Sequence, residues 1–399
     1  KGQEALKELS KKSQQEINDI VHQMSMAAVD QHMHLAKLAY DETGRGIYED
    51  KAIKNLYASE YIWNSIKDNK TVGIIGEDKQ KGLTYVAEPI GVICGVTPTT
   101  NPTSTTIFKA MIAIKTGNPI IFAFHPSAQQ SSKHAAKVIL EAAIKAGAPK
   151  DCIQWIEIPS IEATKQLMNH KDIALVLATG GSGMVKSAYS TGKPALGVGP
   201  GNVPTYIEKT AHIKRAVNDI IGSKTFDNGM ICASEQVMVV DKEVYTDVVK
   251  EFKLHQTYFV NKNELQQLED AIMNEDKTAV KPDIVGKSAV NIAKLSGISV
   301  PEKTKLLVAE IDGIGKDYPL SREKLSPLLA MVTAKSTRHA LQICEDTLKF
   351  GGLGHTAVIH TEDSQLQQKF GLKMKSCRVL VNTPSAVGGI GNMYNELIP

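Results

Sequence analysis

The chain has 399 residues, of which 42% are hydrophobic and 22% charged, and this is typical of a globular protein with two or three domains. Its 46 basic and 43 acidic residues nearly balance at a formal charge of +3, which argues against a nucleic-acid-binding protein. The five cysteines are widely spaced, so we expect neither a disulfide framework nor a zinc site. The chain starts with a charged helical pattern rather than a signal peptide, and no run reaches the ~18 apolar residues of a membrane span. We therefore expect a cytoplasmic location.

In chain order, the first predicted element is an amphipathic helix within residues 10–40, where apolar residues recur at helical spacing. A hairpin is predicted within 71–92, where two extended runs flank a polar turn. Apolar strands then alternate with helices, and Ser127 is predicted to cap one of these helices. The predicted strands are 91–96, 118–124, 152–158, 173–181 and 203–208. This alternation favours an α/β fold with a doubly wound parallel sheet and a ligand crevice.

A second α/β unit is predicted from about residue 228, and Cys232 lies near its start in the turn-like run SKTFDNGMICASEQ. The other cysteines, at 94, 152, 344 and 377, have patterns of structural residues or no special context. The local sequence does not decide whether Cys232 is a packed thiol or a nucleophile, because the run SKTFDNGMICASEQ contains no evident base or cation that would activate the thiol.

Two further runs follow predicted strands. LATGGSGMVKSA (177–188) has the strand, glycine turn and helix that direct amide N–H groups at a phosphate, although a tight β–α turn explains it equally well. It lacks the spacing of the common dinucleotide motif and of a P-loop. In VTPTTNPTSTTIFKA (96–110), Asn101 is either a turn residue or an amide donor to an oxyanion.

Taken together, the order of six segments resembles that of the aldehyde dehydrogenase superfamily, from about residue 15 to the end. The segments are TPTTNPTS, GNPIIFAFHPSA, LATGGSGM, GVGPGNVP, FDNGMICASEQ and EKLSP. The chain is most similar to the coenzyme A-acylating branch, and in particular to the N-terminal half of bacterial bifunctional aldehyde–alcohol dehydrogenases. The resemblance implies an NAD-binding domain over 1–228 with an oligomerisation hairpin at about 71–88. It also implies a catalytic domain over 229–399, whose C-terminal end returns to the first.

The resemblance also implies roles for residues. Cys232 matches the nucleophile, Asn101 the asparagine that forms the oxyanion hole with the cysteine N–H, and Glu323 the glutamate that holds the nicotinamide ribose. His355 in GLGHTA matches an active-site histidine, with a solvated surface histidine as the alternative. The other cofactor-binding positions implied are Thr97, Pro98, His125, Thr179, Gly180, Gly181, Ser182 and Gly183.

Two departures from the hydrolytic members of this superfamily carry information. His125 stands at the position of their adenosine-side lysine without a carboxylate nearby, which leaves NAD or NADP open on motif grounds, although the most similar enzymes use NAD. Gly197 stands where they carry an acidic base. Water, with a pKa of ~15.7, needs such a base, whereas a thiol with a pKa of ~8.5 is already partly thiolate near neutrality. We therefore expect the acyl group to pass to a thiol such as coenzyme A.

The predicted reaction is reversible: aldehyde, NAD and coenzyme A give acyl-CoA and NADH through a thioacyl intermediate on Cys232. Acetaldehyde and acetyl-CoA are the expected pair, in fermentation. A homodimer or higher homo-oligomer is expected, fused to or working with an alcohol dehydrogenase, with no nucleic-acid or membrane partner. The alternatives are a hydrolytic aldehyde dehydrogenase, a cofactor-free cysteine acyltransferase, and a non-catalytic oligomerisation or filament module of this fold.

Overall fold

The computed structural model describes residues 1–388, which form two compact units. Unit 1 comprises Lys1–Gly44 and Tyr48–Gly199. Unit 2 comprises Arg45–Ile47 and the chain from Pro200 onward. The short segment 45–47 therefore belongs to unit 2 although both of its flanks belong to unit 1.

Unit 1 contains nine of the helices in the described chain. They are α1 (Gly2–Leu9), α2 (Gln14–Asp30), α3 (His32–Thr43), α4 (Tyr48–Leu56), α5 (Ile62–Ile66), α6 (Pro102–Lys115), α7 (Gln129–Lys145), α8 (Ile161–Asn169) and α9 (Ser182–Tyr189). A π-helical turn, Tyr57–Tyr61, joins α4 to α5. Local sequence sets several ends: Ser13 and Glu16 form a capping box before α2, and Pro102 occupies the first turn of α6.

The strands of unit 1 form a hairpin and a parallel sheet. They are β1 (Gly73–Asp78), β2 (Leu83–Ala87), β3 (Val92–Val96), β4 (Ile120–Ala123), β5 (Ile153–Trp155), β6 (Ile173–Thr179) and β7 (Ala195–Val198). β1 and β2 pair antiparallel, and the five-stranded sheet has the order β5-β4-β3-β6-β7. Strand order reverses between β3 and β6, so the sheet's switch point lies where these two strands end.

Unit 2 is built on a seven-stranded parallel sheet of order β10-β11-β12-β9-β8-β13-β14. Its strands are β8 (Val203–Ile207), β9 (Glu235–Asp241), β10 (Thr257–Val260), β11 (Leu306–Glu310), β12 (Leu328–Ala334), β13 (Gly354–His360) and β14 (Ser376–Val381). Its helices are α10 (Ile213–Thr225), α11 (Tyr245–Leu254), α12 (Lys262–Ile272), α13 (Ala289–Leu295), α14 (Thr337–Gly351), α15 (Ser364–Lys373) and α16 (Ser385–Gly388). β8 and β9 are buried throughout, as expected of central parallel strands.

Most of the predicted elements are present, with four differences. The helix predicted within 10–40 is two helices, α2 and α3, that break at Gln31. The prediction that Ser127 caps a helix is wrong, because Glu42 accepts hydrogen bonds from the first-turn amides of α7 instead. The units divide near residue 199 rather than 228. The strand at 203–208 was predicted to close the first sheet, but β8 pairs with β9 and β13 in the second.

The predicted return of the C-terminal end to the first domain lies outside the described residues; through Gly388 the chain belongs to unit 2. Within residues 1–388 no helix combines the length and apolarity needed to cross a membrane. No group of three or more potential metal-binding side chains occurs in that same part of the chain.

Candidate active site

Cys232 lies in a tight turn between the 3-10 helix Phe226–Gly229 and β9. The Ser234 N–H donates to the Ile231 carbonyl at 2.9 Å and closes this turn. Ile231 and Ala233 are buried, whereas Cys232 is half-buried. The turn thus hides both neighbours of the cysteine and leaves its thiol partly accessible.

The backbone before this turn is fixed in an uncommon conformation. Asp227, Asn228 and Gly229 all have positive φ, at 47°, 50° and 71°. Such a run is costly for residues other than glycine and persists where neighbouring groups determine it. Here the Ile47 N–H donates to Asp227 Oδ1 at 2.7 Å, and Asn228 Nδ2 donates to the carbonyl of Gly286 at 3.0 Å.

The backbone of Gly201 packs closely against the carbonyl of Cys232. A Cβ atom at Gly201 would lie 1.9 Å from the carbonyl oxygen of Cys232 and 3.0 Å from Cε1 of His355. The Gly201 N–H donates to Glu323 Oε1 at 2.7 Å. Only glycine fits here, and its backbone brings the peptide of Cys232, the carboxyl of Glu323 and the ring of His355 together.

The carboxyl of Glu323 stands beside buried cations. Burial raises its pKa to about 7, against the Gly201 N–H and the two lysines Lys224 and Lys324, which lower it. Lys324 Nζ donates to three backbone carbonyls, and Lys224 Nζ donates to Gln236 Oε1 at 3.0 Å. Gln236 Oε1 also accepts the Lys324 N–H. The segment of Glu323 is thereby joined to the start of β9, which follows the cysteine turn.

His355 is buried at the start of β13, so the alternative of a solvated surface histidine is wrong. Its Nδ1 lies 3.0 Å from Thr356 Oγ1, and its Nε2 has no hydrogen-bond partner among the described residues. Burial, followed by the charge of Arg378, lowers the pKa of His355 to about 4. The ring is neutral near pH 7, and one nitrogen is available to a proton from outside the described chain.

Residues near the end of the described chain reinforce the cysteine turn. The hydroxyl of Ser385 donates to the Ala233 carbonyl at 2.5 Å, and the Ser385 N–H donates to Glu235 Oε1 at 2.9 Å. Both serine and glutamate are fully buried. The peptide that follows Cys232 is therefore held by a segment about 150 residues further along the chain.

In unit 1 the predicted cofactor residues lie at the carboxyl ends of β3, β4 and β6. Thr97 and Pro98 follow β3, and the Thr97 hydroxyl is buried without a hydrogen-bond partner in the described part of the chain. His125 follows β4; it is exposed, and its Nδ1 accepts the Ser127 N–H. Buried Lys109 closes the ends of β3 and β6 by donating to the Val96 and Leu177 carbonyls.

The glycine turn Thr179–Gly183 links β6 to α9 at the same edge. Gly181, Ser182 and Gly183 are exposed. The N–H groups of Ser182 and Gly183 at the start of α9 have no intrahelical acceptor, whereas the Met184 N–H donates to the Gly181 carbonyl at 3.0 Å. Apart from the neighbouring backbone of the turn and helix, nothing lies within 4 Å of a Cβ built at Gly181 or Gly183. An open helix N-terminus beside the sheet's switch point and the orphaned Thr97 hydroxyl fit a dinucleotide pyrophosphate.

Asn101 is the residue before α6, and its side chain does not cap that helix. Instead Asn101 Oδ1 accepts a hydrogen bond from Lys54 Nζ at 2.7 Å, and Asn101 Nδ2 donates to Thr100 Oγ1 at 3.1 Å. Asn101 is half-buried and Lys54 is buried. The amide thus has a defined orientation that ordinary turn chemistry does not explain.

Gly197 lies in β7, opposite Ala178 of β6. A Cβ there would lie 2.7 Å from Val185 Cγ1 and 2.8 Å from Tyr189 Cε2, and the Gly197 N–H donates to the Tyr189 hydroxyl at 3.0 Å. The space that a side chain at residue 197 would need is filled by α9.

The other cysteines differ sharply from Cys232. Cys94, Cys152 and Cys344 are buried, and burial raises the pKa of the Cys94 and Cys152 thiols to about 12. Cys377 is exposed, and its thiol donates to the His355 carbonyl at 3.0 Å. None of the five cysteines forms a disulfide in the described part of the chain.

Sequence reasoning missed Gly201, Lys54 and Ser385. Gly201 stands in the segment GVGPGNVP, whose paired glycines were a usable signal for close backbone approach. Lys54 reads as an ordinary charged residue of an amphipathic helix, and Ser385 as a loop serine. No pattern in their own windows distinguishes these two.

The chain therefore consists of two α/β units with parallel sheets, of which unit 1 has an exposed glycine turn after β6 and unit 2 has a half-buried cysteine before β9. The chain belongs to the aldehyde dehydrogenase family, whose family model matches residues 1–392.

An aldehyde-alcohol dehydrogenase of Streptococcus pneumoniae is 54% identical over 382 residues, covering 94% of this chain and 43% of that protein. The chain thus spans less than half the length of this curated relative. The crystal structure of an acetylating aldehyde dehydrogenase from Geobacillus thermoglucosidasius has a TM-score of 0.95 and 47% identity, over 98% of this chain and 86% of that one.

A propionaldehyde dehydrogenase from Rhodopseudomonas palustris, solved with bound CoA and an acylated cysteine, has a TM-score of 0.88 and 29% identity. The match covers 98% of this chain and 88% of that one. The recognised family and the α/β fold are both confirmed by these comparisons.

Proposed function

We propose that this chain is a coenzyme A-acylating aldehyde dehydrogenase that interconverts aldehyde, NAD and coenzyme A with acyl-CoA and NADH. The observation that carries the proposal is the cysteine turn. Cys232 is half-buried between two buried neighbours, its carbonyl lies so close to Gly201 that no side chain fits there, and the next carbonyl accepts a hydrogen bond from Ser385. Packing alone requires no such fixation of one partly accessible thiol.

In the proposed reaction, the Cys232 thiolate forms a bond from Sγ to the aldehyde carbon, and the carbonyl oxygen becomes an oxyanion. The amide N–H of Asn101 and the backbone N–H of Cys232 stabilise that charge. Glu323 and the exposed amides at the start of α9 are the groups that would hold NAD, which when bound would accept the hydride that leaves this carbon. The carbon is then a thioester on Cys232.

The second half of the reaction returns the enzyme to its starting state. Neutral His355 is the proposed acceptor of the coenzyme A thiol proton, because its Nε2 has no partner among the described residues. Its pKa of about 4 makes the ring a weak base, so the thiolate that forms beside it has to stabilise the imidazolium. The coenzyme A sulfur bonds to the acyl carbon, and Cys232 leaves as a thiolate. Because one thioester replaces another, the sequence runs in either direction.

Gly197 supports transfer to a thiol rather than to water. Water needs a base, and the residue where hydrolytic members carry one has no side chain here. The packing of Val185 and Tyr189 against Gly197 also leaves no room for a carboxylate. We therefore expect Gly197→Glu to destabilise unit 1 without conferring hydrolysis.

The relatives support the same reading. The Geobacillus enzyme is an acetylating aldehyde dehydrogenase, and the Rhodopseudomonas structure contains bound CoA and an acylated cysteine. Acetaldehyde and acetyl-CoA are the proposed pair for this chain. Because the chain spans 43% of the Streptococcus relative, work with an alcohol dehydrogenase partner or fused domain is part of the proposal.

The test follows NADH from acetaldehyde and NAD, with and without coenzyme A. We expect turnover that depends on coenzyme A and disappears in Cys232→Ser. The matched control is Cys377→Ser, which replaces the other thiol that is not buried and keeps a hydroxyl donor. Steady turnover without any thiol would contradict the acylating assignment, and NADH formation in Cys232→Ser would contradict the nucleophile.

Self-association and a cytoplasmic location complete the proposal. The β1–β2 hairpin exposes Ile74, Leu83, Tyr85 and Val86, an apolar surface suited to a second copy. None of the five cysteines forms a disulfide within residues 1–388, which is consistent with a reducing compartment. Sedimentation should show a homo-oligomer that Tyr85→Glu with Val86→Glu dissociates. A monomeric wild type would contradict this part.

A further inference from the structure

We propose that Lys54 is a positioning residue that orients and polarises the amide of Asn101, so that one defined N–H is kept for the oxyanion role that the proposed function assigns to Asn101. The inference rests on the proposed function, since it assigns a purpose to Lys54 through the role of Asn101. It concerns unit 1 alone, where both residues lie.

The first step is the identity of the amide atoms. A lysine ammonium has three donors and no acceptor, so the atom of Asn101 that faces it must be the oxygen. Lys54 Nζ lies 2.7 Å from Asn101 Oδ1. The contact therefore decides which way round the amide stands.

The second step is a count of donors. With Oδ1 committed to Lys54, the NH₂ group of Asn101 has two N–H bonds, and one of them donates to Thr100 Oγ1 at 3.1 Å. No protein acceptor for the second N–H occurs in the described part of the chain. The residue is half-buried, so this N–H is reachable by a ligand.

The third step is what Asn101 does not do. An asparagine before a helix ordinarily turns its oxygen onto the first-turn amides and caps them. Asn101 stands at that position of α6 and makes no such bond. Lys54, which is only 8% exposed, binds the oxygen instead, and the helix lacks the stabilising cap that Asn101 would otherwise provide.

The last step is energetic. A cation on the carbonyl oxygen of an amide draws electron density from its nitrogen, and hydrogen bonds in a chain of this kind strengthen one another. A charged donor inside a protein acts more strongly than in water. Lys54 thus makes the remaining N–H of Asn101 a better donor as well as an oriented one.

The experiment measures the first NADH burst from acetaldehyde and NAD without coenzyme A, in the full chain. We expect Lys54→Met to slow the burst by about tenfold, less than the 10²–10³ lost with an entire oxyanion donor. The KM for NAD should stay within about twofold. Lys54→Arg should restore part of the rate, because arginine also donates and never accepts.

A double-mutant cycle separates positioning from a general structural role. In an Asn101→Ala background, Lys54→Met should change the burst by less than about twofold, because Lys54 then has no amide to act on. The control is Lys67→Met, which removes an exposed lysine that donates to Asn64 Oδ1 at 3.3 Å elsewhere in unit 1. Its burst should equal that of the wild type.

Additive losses in the cycle, or an unchanged burst in Lys54→Met, would overturn the inference. If Lys54→Met fails to fold in a thermal scan, Lys54→Gln carries the same test, since a glutamine side chain lets the Asn101 amide stand either way round. A wild type with no burst and no turnover would instead contradict the proposed function.

Discussion

The turn after β6 and the turn before β9 both present backbone groups for chemistry, yet they are built differently. In Thr179–Gly183, three exposed residues leave first-turn amides open to solvent. The backbone of the cysteine turn is constrained by the positive-φ residues before it, by Gly201, where any side chain would clash, and by the hydrogen bond from Ser385. A dinucleotide that enters and leaves needs open amides, whereas a nucleophile needs a defined place. The contrast predicts different responses to similar substitutions.

The largest effect is expected for Gly201→Ala. The new methyl group would meet the Cys232 carbonyl at 1.9 Å, so the backbone of the turn must shift. We expect a loss of about 3 kcal/mol in the free energy of unfolding and a fall in kcat of at least about a hundredfold. Urea unfolding and NADH assays measure both. A fully active variant would show that the cysteine turn tolerates movement.

The next largest effect concerns pH. The pKa of His355 is lowered to about 4 by burial, whereas in the unfolded chain it is about 6.5. Above about pH 6.5 His355 is neutral in both the folded and the unfolded chain, and the free energy of unfolding is unaffected. As the pH falls from 6.5 toward 4, the unfolded chain binds a proton that the folded ring does not, so the free energy of unfolding falls. Between pH 7 and pH 5 the wild type should lose about 2 kcal/mol more than His355→Gln.

His360 offers the matched control at the other end of β13. Burial lowers its pKa to about 4 as well, so His360→Gln should show the same change in pH dependence. Only His355→Gln should slow the transfer to coenzyme A. Equal kinetic losses in both variants would indicate that His355 acts through the strand rather than through its ring.

A smaller effect is expected for Ser385→Ala. The variant removes the hydroxyl that donates to the Ala233 carbonyl, and the free energy of unfolding should fall by about 1 to 2 kcal/mol. The control Ser376→Ala removes a hydroxyl that donates to the Arg378 carbonyl at 2.9 Å. Both should lose stability, but only Ser385→Ala should slow thiol modification of Cys232 by iodoacetamide. Equal rates of Cys232 modification in Ser385→Ala and Ser376→Ala would show that Ser385 does not support the cysteine turn.

The smallest effect is expected on the open side. Gly183→Ala places a methyl group with no atom within 4 Å, at an exposed position inside the first turn of α9. Alanine should stabilise the protein by up to about 1 kcal/mol, while the KM for NAD rises severalfold because the methyl group stands among the open amides. An unchanged KM would place the pyrophosphate elsewhere.

The sequence predicted most strands of unit 1 because each is a short apolar run between turn residues, which is a local signal. It placed the unit boundary too late because the run of β8, VPTYI, has the same local signal whichever sheet it joins. Its partners β9 and β13 are chosen by packing that no window contains. Cys232 and Glu323 were named through resemblance, whereas their supports at Gly201 and Lys224 depend on contacts between distant segments.

The left-handed run at Asp227 and Asn228 has a consequence for dissecting the protein. It is held by Ile47, 180 residues earlier, and the segment 45–47 belongs to unit 2 while its flanks do not. A single cut at residue 200 therefore cannot release unit 2 as an intact fragment. During synthesis Ile47 emerges well before Asp227, and Ser385, which donates to the Ala233 carbonyl, emerges later still. The cysteine turn therefore gains its supports only after most of unit 2 has been made.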